Sequence, residues 1–389
     1  MLDHIGHLTM CIGRNRTMCL HFESIDLRMN HSCYHIRAIQ MNNKKFYIAT
    51  AIGLLLMAVF ASLINAGVFK TIEPLNLDMC IEVEGVVGAE DITFIPGTNK
   101  ALVSSYDRRI EVEDPSQEIA GAIYIYDLDE KVFTKVSPDL IDFKPHGISL
   151  YELPNGALRL FVVDHAHEKH QIQIFDFKNE TLSLVRSVES EEFISPNDIH
   201  AVGPEQFYVT NDHGFATGIM RLMEDYLMLP LSNLVVFDGE SAKEVAAGMA
   251  YANGVQTNKS GNRLYLASVT SLTLNIYERN TVTNDLYLLT SINTGTGVDN
   301  IELDEKGDLW LGAHPQLLKF VSHAKNIDKR SPSEIIKIKV SDGSYDVVPV
   351  YRNTGDPISG VSVAAVKGDR MLVGSVFDEK ILDCVLPNK

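Results

Sequence analysis

Positive charge is in short supply. The 389 residues hold 34 Lys and Arg against 51 Asp and Glu, and the deficit is uneven: residues 1–69 carry a net +3, residues 70–389 a net −20. A body that acidic lacks the clustered cations that phosphate binding needs, which argues against a nucleic-acid partner and favours cation binding or simple solubility. Familiar catalytic motifs are missing too. There is no GxSxG elbow, Walker loop, HExxH or dinucleotide fingerprint, and this argues against nucleophilic-serine chemistry. No helical periodicity of convincing length follows residue 70, and cysteine thins over the same stretch to Cys80 and Cys384. Gross disorder is excluded as well, since 45% apolar and 22% charged residues is ordinary globular composition.

One long uncharged run is present. Phe46 to Phe69, FYIATAIGLLLMAVFASLINAGVF, has 24 residues without a charge. At about 1.5 Å per residue that is enough to cross a hydrocarbon core of ~30 Å. Lys44 and Lys45 precede the run and Glu73 and Asp78 follow it. The positive-inside bias therefore places residues 1–45 in the cytoplasm and the body outside the cell or in the secretory lumen. The expected organisation is a cytoplasmic segment 1–45 with no fold of its own, a signal-anchor 46–69 and one large domain 70–389. Cleavage near ASLINAG, which would release a secreted body, is the alternative. Met41 opens a second complete start. In an oxidising compartment Cys80 and Cys384 most simply pair and pin the chain ends together; two buried thiols are the alternative. Asn179 and Asn258 stand in glycosylation sequons on the exported side, while those at Asn15 and Asn30 stay bare.

Short runs rich in Val, Ile, Tyr and Phe dominate the body. One hairpin recurs six times: EDITFIPGTNKALVSS, HGISLYELPNGALRLFVVD, NDIHAVGPEQFYVTN, NGVQTNKSGNRLYLAS, DNIELDEKGDLWLGA and SGVSVAAVKGDRMLVGS. The second strands bring Ser104, Val163, Thr210, Ala267, Gly312 and Gly374 into register at spacings of 45 to 62 residues. Units of that length with several short strands predict an all-β, six-bladed β-propeller preceded by a transmembrane helix. A β-sandwich is the alternative, but a Cys80–Cys384 link favours a ring, whose first and last blades must be joined.

In a propeller the first strand of each blade lines the central channel. Those positions hold Glu90-Asp91, His146-Gly147, Asn197-Asp198, Asn253-Gly254, Asp299-Asn300 and Ser359-Gly360. Singly, each pair is ordinary turn chemistry. Together they aim oxygens at one volume, where carboxylates repel unless a cation neutralises them. An all-oxygen set suits calcium, with magnesium second; zinc would want Cys or several His. Neighbours that alternate across a strand could serve two ions at different depths. His165 should return beside His146, and Asp212, His213 and His314 should ring the same mouth. His146 is then a candidate base for activating water. His167 and His170 are expected to be solvated loop residues.

The stretches GAEDITFIPG, KPHGISLY, PNDIHAVGPEQFYVTNDHGF, YANGV, VDNIELDEKGDLWLGAHP and VGSVFDEKILDCVL resemble the paraoxonase/arylesterase family across residues 70–389. The resemblance implies a propeller with two calcium ions in its tunnel, a disulfide between Cys80 and Cys384, and hydrolysis of lactones, aryl esters and some organophosphates. It assigns Glu90, Asn197, Asn253, Asp299 and Asn300 to a catalytic calcium. Asp91, Asp198 and the Ile148 carbonyl would hold a structural one. It makes His146 and His165 a dyad, Asp212 the support of His165, His314 a mouth residue, and Tyr251 and Phe377 substrate walls. Arg108 and Arg109 depart from a Lys-Tyr stretch of the active-site loop, and Ala313 stands where vertebrate members carry a free cysteine. The expected function is hydrolysis of a small-molecule lactone or ester by a membrane-anchored enzyme. The alternative is an anchored, non-catalytic propeller that assists another membrane protein.

Overall fold

The computed structural model describes residues 8–12, 18–22, 43–113, 120–166, 169–341 and 343–387. Cys33, His167 and the sequons at Asn15 and Asn30 lie outside the described residues. The chain forms two compact units, Met1–Ala61 and Ser62–Lys389. In the first, where no fold was expected, Leu8–Ile12 and Met18–Phe22 pair as an antiparallel hairpin. Helix α1, Asn43–Asn65, begins in the first unit and ends in the second. Its stretch Phe46–Asn65 is long and apolar enough to cross a membrane, with a mean hydropathy of 2.3. The helix stops at Asn65, four residues before the end of the uncharged run, and the chain turns at Gly67 with φ +71°.

Six four-stranded antiparallel sheets make up the second unit. Blades 1 to 5 are sequential meanders, with inner strands Ala89–Phe94, Pro145–Glu152, Pro196–Ala201, Ala252–Thr257 and Gly297–Leu303. Blade 6 takes three strands from the C-terminus, starting at Val361–Lys367, and its outermost from the N-terminus, Cys80–Glu84. Cys80 lies directly opposite Cys384 in that pairing, and the two form a disulfide spanning 304 residues of sequence. The expected closure of the ring is thus both hydrogen-bonded and covalent.

The core is divided into six seams between neighbouring blades. Leu160, Val162 and Phe175 of blade 2 pack with Leu102 and Ile123 of blade 1 on one side. On its other side Phe161, Val163 and Ile174 pack with Phe207 and Val235 of blade 3. Such strands present apolar side chains to both faces and so read as near-continuous apolar runs, which is why LFVV and YLAS mark the blades in sequence.

Where no helix of convincing length was expected, the described residues after 70 hold three short α-helices: α2 (Arg108–Glu113), α3 (Gly218–Leu227) and α4 (Leu317–Lys325). Each follows the second strand of an odd-numbered blade. They are short, and α2 is a single charged turn and a half, so their periodicity is weak against the strand pattern. All three lie over the face where the inner strands begin.

Candidate active site and metal centre

Every inner strand carries a register irregularity as it reaches the axis. Pro196 pairs with Asn211 and Ile199 with Val209, so Asn197 and Asp198 together oppose Thr210 alone. By the same rule Asn253-Gly254 oppose Ala267, Asp299-Asn300 oppose Gly312 and His146-Gly147 oppose Val163. In blades 1 and 6 the extra residue is Glu90 or Ser362. The residues aligned in sequence as second-strand markers are the ones opposite these bulges. A bulge bends its strand and re-aims two side chains, so bulges, and not the simple alternation expected, turn neighbouring oxygens toward the axis. The sixth axial residue is accordingly Ser362, whose Oγ donates to the Glu90 carbonyl at 2.5 Å, and not Ser359-Gly360, which precede the strand. Close approach requires glycine at 147: a Cβ there would lie 2.6 Å from Asp198 Cα.

Five side-chain oxygens in this ring are buried without a hydrogen-bond partner: Glu90 Oε2, Asn197 Oδ1, Asn253 Oδ1, Asp299 Oδ1 and Asn300 Oδ1. They belong to the five residues expected to hold one calcium. An unsatisfied buried acceptor costs about 1–3 kcal/mol, a cost that coordination to a hard cation removes. Two carboxylates and three amides make an oxygen-only set that fits calcium and not zinc. No group of three or more His, Cys, Asp or Glu placed to hold a metal occurs among the described residues, consistent with a set so rich in Asn. The opposite atoms of these ligands are tied down. Asn300 Nδ2 donates to Glu90 Oε1 at 2.9 Å, His314 Nε2 meets Asp299 Oδ2 at 2.7 Å, and Asn197 Nδ2 donates to Asp212 Oδ2 at 3.4 Å. Burial alone would raise Glu90, but His146, Arg108 and the Asn300 amide outweigh it and hold the carboxyl below its usual range.

Asp91 and Asp198 lie deeper. Asp91 accepts from the Ile92 and Ile148 amides at 2.8 and 2.7 Å, and Asp198 from Ile199 and Val255, both at 2.7 Å. Each carboxylate keeps lone pairs beyond those two bonds. Burial and repulsion from neighbouring acids push both well above the usual carboxylate range, the condition a cation would relieve. Both line a polar cavity of about 140 Å³ together with Ile148, Asn300 and Glu302.

The histidines meet as a chain of three. His146 Nδ1 lies 2.7 Å from His165 Nε2, and His165 Nδ1 lies 2.9 Å from His170 Nδ1. His170 is therefore not the solvated loop residue expected. It was missed because HAHEKH reads as a polar loop, whereas the pairing of Leu158–Asp164 with Gln171–Lys178 returns His170 beside His165. Burial, then the Coulombic influence of His146, His170 and Arg108, holds His165 well below the ordinary imidazole range. Asp212 acts on His165 through its charge, which favours the protonated imidazole, while its hydrogen bonds go elsewhere. Its oxygens are used by Ser195, Asn197 and His213, and His213 Nε2 in turn meets Asp225 Oδ1 of α3 at 2.6 Å.

The two aromatic residues expected to line a substrate wall have ring neighbours of their own. The Tyr251 ring packs edge-on to His213 with centroids 4.9 Å apart. Phe377 lies 5.8 Å from Phe320 of α4, which stacks on His314 at 3.8 Å. Phe320 was invisible without the helix that presents it. Arg108 directs its guanidinium to the Gly88, Tyr106 and Pro145 carbonyls, while Arg109 bonds the Phe377 carbonyl and His323.

Residues 69–386 match the family model described as Arylesterase. The chain is 32% identical over 351 residues to serum paraoxonase/arylesterase 2 of Gallus gallus, covering 87% of this chain and 97% of that protein. It is also 32% identical to serum paraoxonase/arylesterase 1 of Homo sapiens, over 82% of this chain and 91% of that one. Serum paraoxonase/lactonase 3 of Homo sapiens shares 32% over 82% and 90% respectively.

Proposed function

Because the chain belongs to the arylesterase family through residues 69–386, we propose that it is a calcium-dependent hydrolase of lactones and aryl esters in which a histidine relay activates water. The five unpartnered oxygens beside a paired His146 and His165 carry this reading. Glu90, Asn197, Asn253, Asp299 and Asn300 would hold one ion, and Asp91, Asp198 and the Ile148 carbonyl a second. Calcium at the first set supplies polarisation of the substrate carbonyl and stabilises the charge that develops on its oxygen.

The remaining chemistry belongs to the chain. His146 Nε2 lies 3.5 Å from Glu90 Oε1, at the rim of the oxygen ring. With its Nδ1–H donated to His165, that Nε2 accepts a proton from water. His165, kept neutral by burial, takes the Nδ1 proton and passes its own to His170. The charge thus leaves the buried pair. Tyr251, Phe320 and Phe377 enclose the substrate and exclude water from the carbonyl side.

Anchoring through Phe46–Asn65 with the ring outside the cytoplasm belongs to the same reading. Asn179 is exposed on its turn and Asn258 half-buried, so glycan addition at either reports topology. The decisive test is a lactone and aryl-ester panel on the full chain, with calcium and after thorough chelation. Turnover is expected only with calcium, and survival under chelation would overturn the mechanism. Tight calcium binding with no turnover of any ester or lactone would favour the non-catalytic partner instead.

A further inference from the structure

We propose that residues 64–70, the end of α1 and the chain just past it, form one wall of a second binding cavity beside the metal pole, and that it takes the alkyl tail of a ligand carrying one hydrogen-bonding oxygen. The proposal rests on the hydrolase reading only for identifying that ligand as an ester or lactone. A cavity of about 310 Å³, within the range of small-molecule sites, is lined by Ile64 and Phe69 on one side and Leu272, Thr296, His314 and Pro315 on the other. Most of the wall is apolar. Two polar atoms of its lining residues have no partner, Thr296 Oγ1 and His314 Nδ1, in side chains only 3% and 2% exposed. The other nitrogen of His314 holds Asp299, so a ligand bonded to His314 Nδ1 sits one imidazole away from the oxygen ring.

The wall is built into the ring. Asn65 Nδ2 donates to the Thr270 carbonyl at 2.7 Å, the Leu317 amide to the Ala66 carbonyl at 2.9 Å, and Gln316 Nε2 to the Lys70 carbonyl at 2.7 Å. Lys70 Nζ lies 3.4 Å from Glu334 Oε2, and Ala66 packs with Val269 and Leu317. At Gly67 a Cβ would fall 2.1 Å from the Pro315 carbonyl oxygen, so glycine is what lets the segment lie this close. The compact unit accordingly begins at Ser62 and not at residue 70. A stretch that reads in sequence as anchor or leader is a part of the site, and cleavage near ASLINAG would open the cavity.

The test uses the full chain in lipid nanodiscs with calcium and 2-decanone, a ketone that a hydrolase cannot cleave, titrated by calorimetry against empty discs. Each buried methylene strengthens binding roughly fourfold, so 2-decanone should bind well above 2-butanone. Leu272→Trp, which fills the cavity, and Gly67→Val, which lifts the wall, should each weaken 2-decanone at least tenfold. Thr296→Val, nearly isosteric, should weaken it about threefold and covers the case where the larger changes unfold the ring. Unchanged 2-decanone binding in folded Leu272→Trp and in Thr296→Val would overturn the cavity. Because the ketone is not a substrate, this readout stands even if no ester is turned over. Where esters are turned over, the ratio of octanoyl to acetyl aryl-ester kcat/KM should fall tenfold in Leu272→Trp.

Discussion

Each inner strand takes part in two environments, and they follow different rules. Away from the axis its side chains enter the seams between blades, where Val298 of one inner strand packs with Leu311 and Ile336 of the neighbouring strands. The very next residues of the same strand are Asp299 and Asn300, equally buried and with oxygens left unpartnered. The seams gain from area, which many apolar side chains of similar volume can supply. The axis gains nothing from area: its carboxylates and amides stay buried at a cost that only a specific partner returns. Stability and function are thus separated by only a few residues along one strand, with the bulge as the boundary between them.

That separation can be attacked from both sides. Opening the ring with Cys80→Ser and Cys384→Ser should have the largest effect, destabilising the body by roughly 6 kcal/mol in the chain-entropy account of so long a loop. Denaturant melts measure it, and calcium affinity of the remaining folded fraction should change little. Asp299→Ala should do the reverse, lowering kcat/KM by about 10³-fold and calcium affinity with it, as calorimetry would show. If melting suffered more than activity, the axis would be structural after all. His146→Gln should lower kcat by ~10²–10³-fold with calcium binding intact, which separates the base from the ligands. Leu311→Ala, fully within a seam, should lose about 3 kcal/mol of stability yet keep kcat per folded molecule. The smallest effect is expected of His170→Gln, roughly three- to tenfold in kcat with KM unchanged. His165 should then titrate at higher pH, followed by NMR of its ring, because one of the neighbours that depress it is gone.

Much of the architecture was legible because it repeats. Six hairpins in phase announced six blades, and Asn197, Asn253 and Asp299 could be placed at one pole by register alone. What stayed hidden depends on local backbone geometry. The bulges leave no composition of their own, so Ser362 was passed over for Ser359-Gly360 in a run where both spell a plausible strand start. His170 and Phe320 reach the site through the pairing of two strands and a short helix, neither of them announced by periodicity around these residues. Asp212 was expected at the mouth from its place at the end of a second strand, but its partners could not be read from spacing, since Ser195 and His213 both meet its Oδ1.

The strand Cys80–Glu84 is made early and used last. Its partner, Lys380–Val385, emerges about 300 residues later. At ~5–20 residues per second of synthesis that is a wait of roughly 15 to 60 s. Throughout it the newborn chain carries an open edge and a lone thiol. Blades 1 to 5 can assemble in the order they appear, but no intermediate length of chain is a finished ring. A nascent chain stopped before Lys380 should therefore be a client for chaperones and oxidases, and a stop codon at or just before Cys384 should be as damaging as one far upstream.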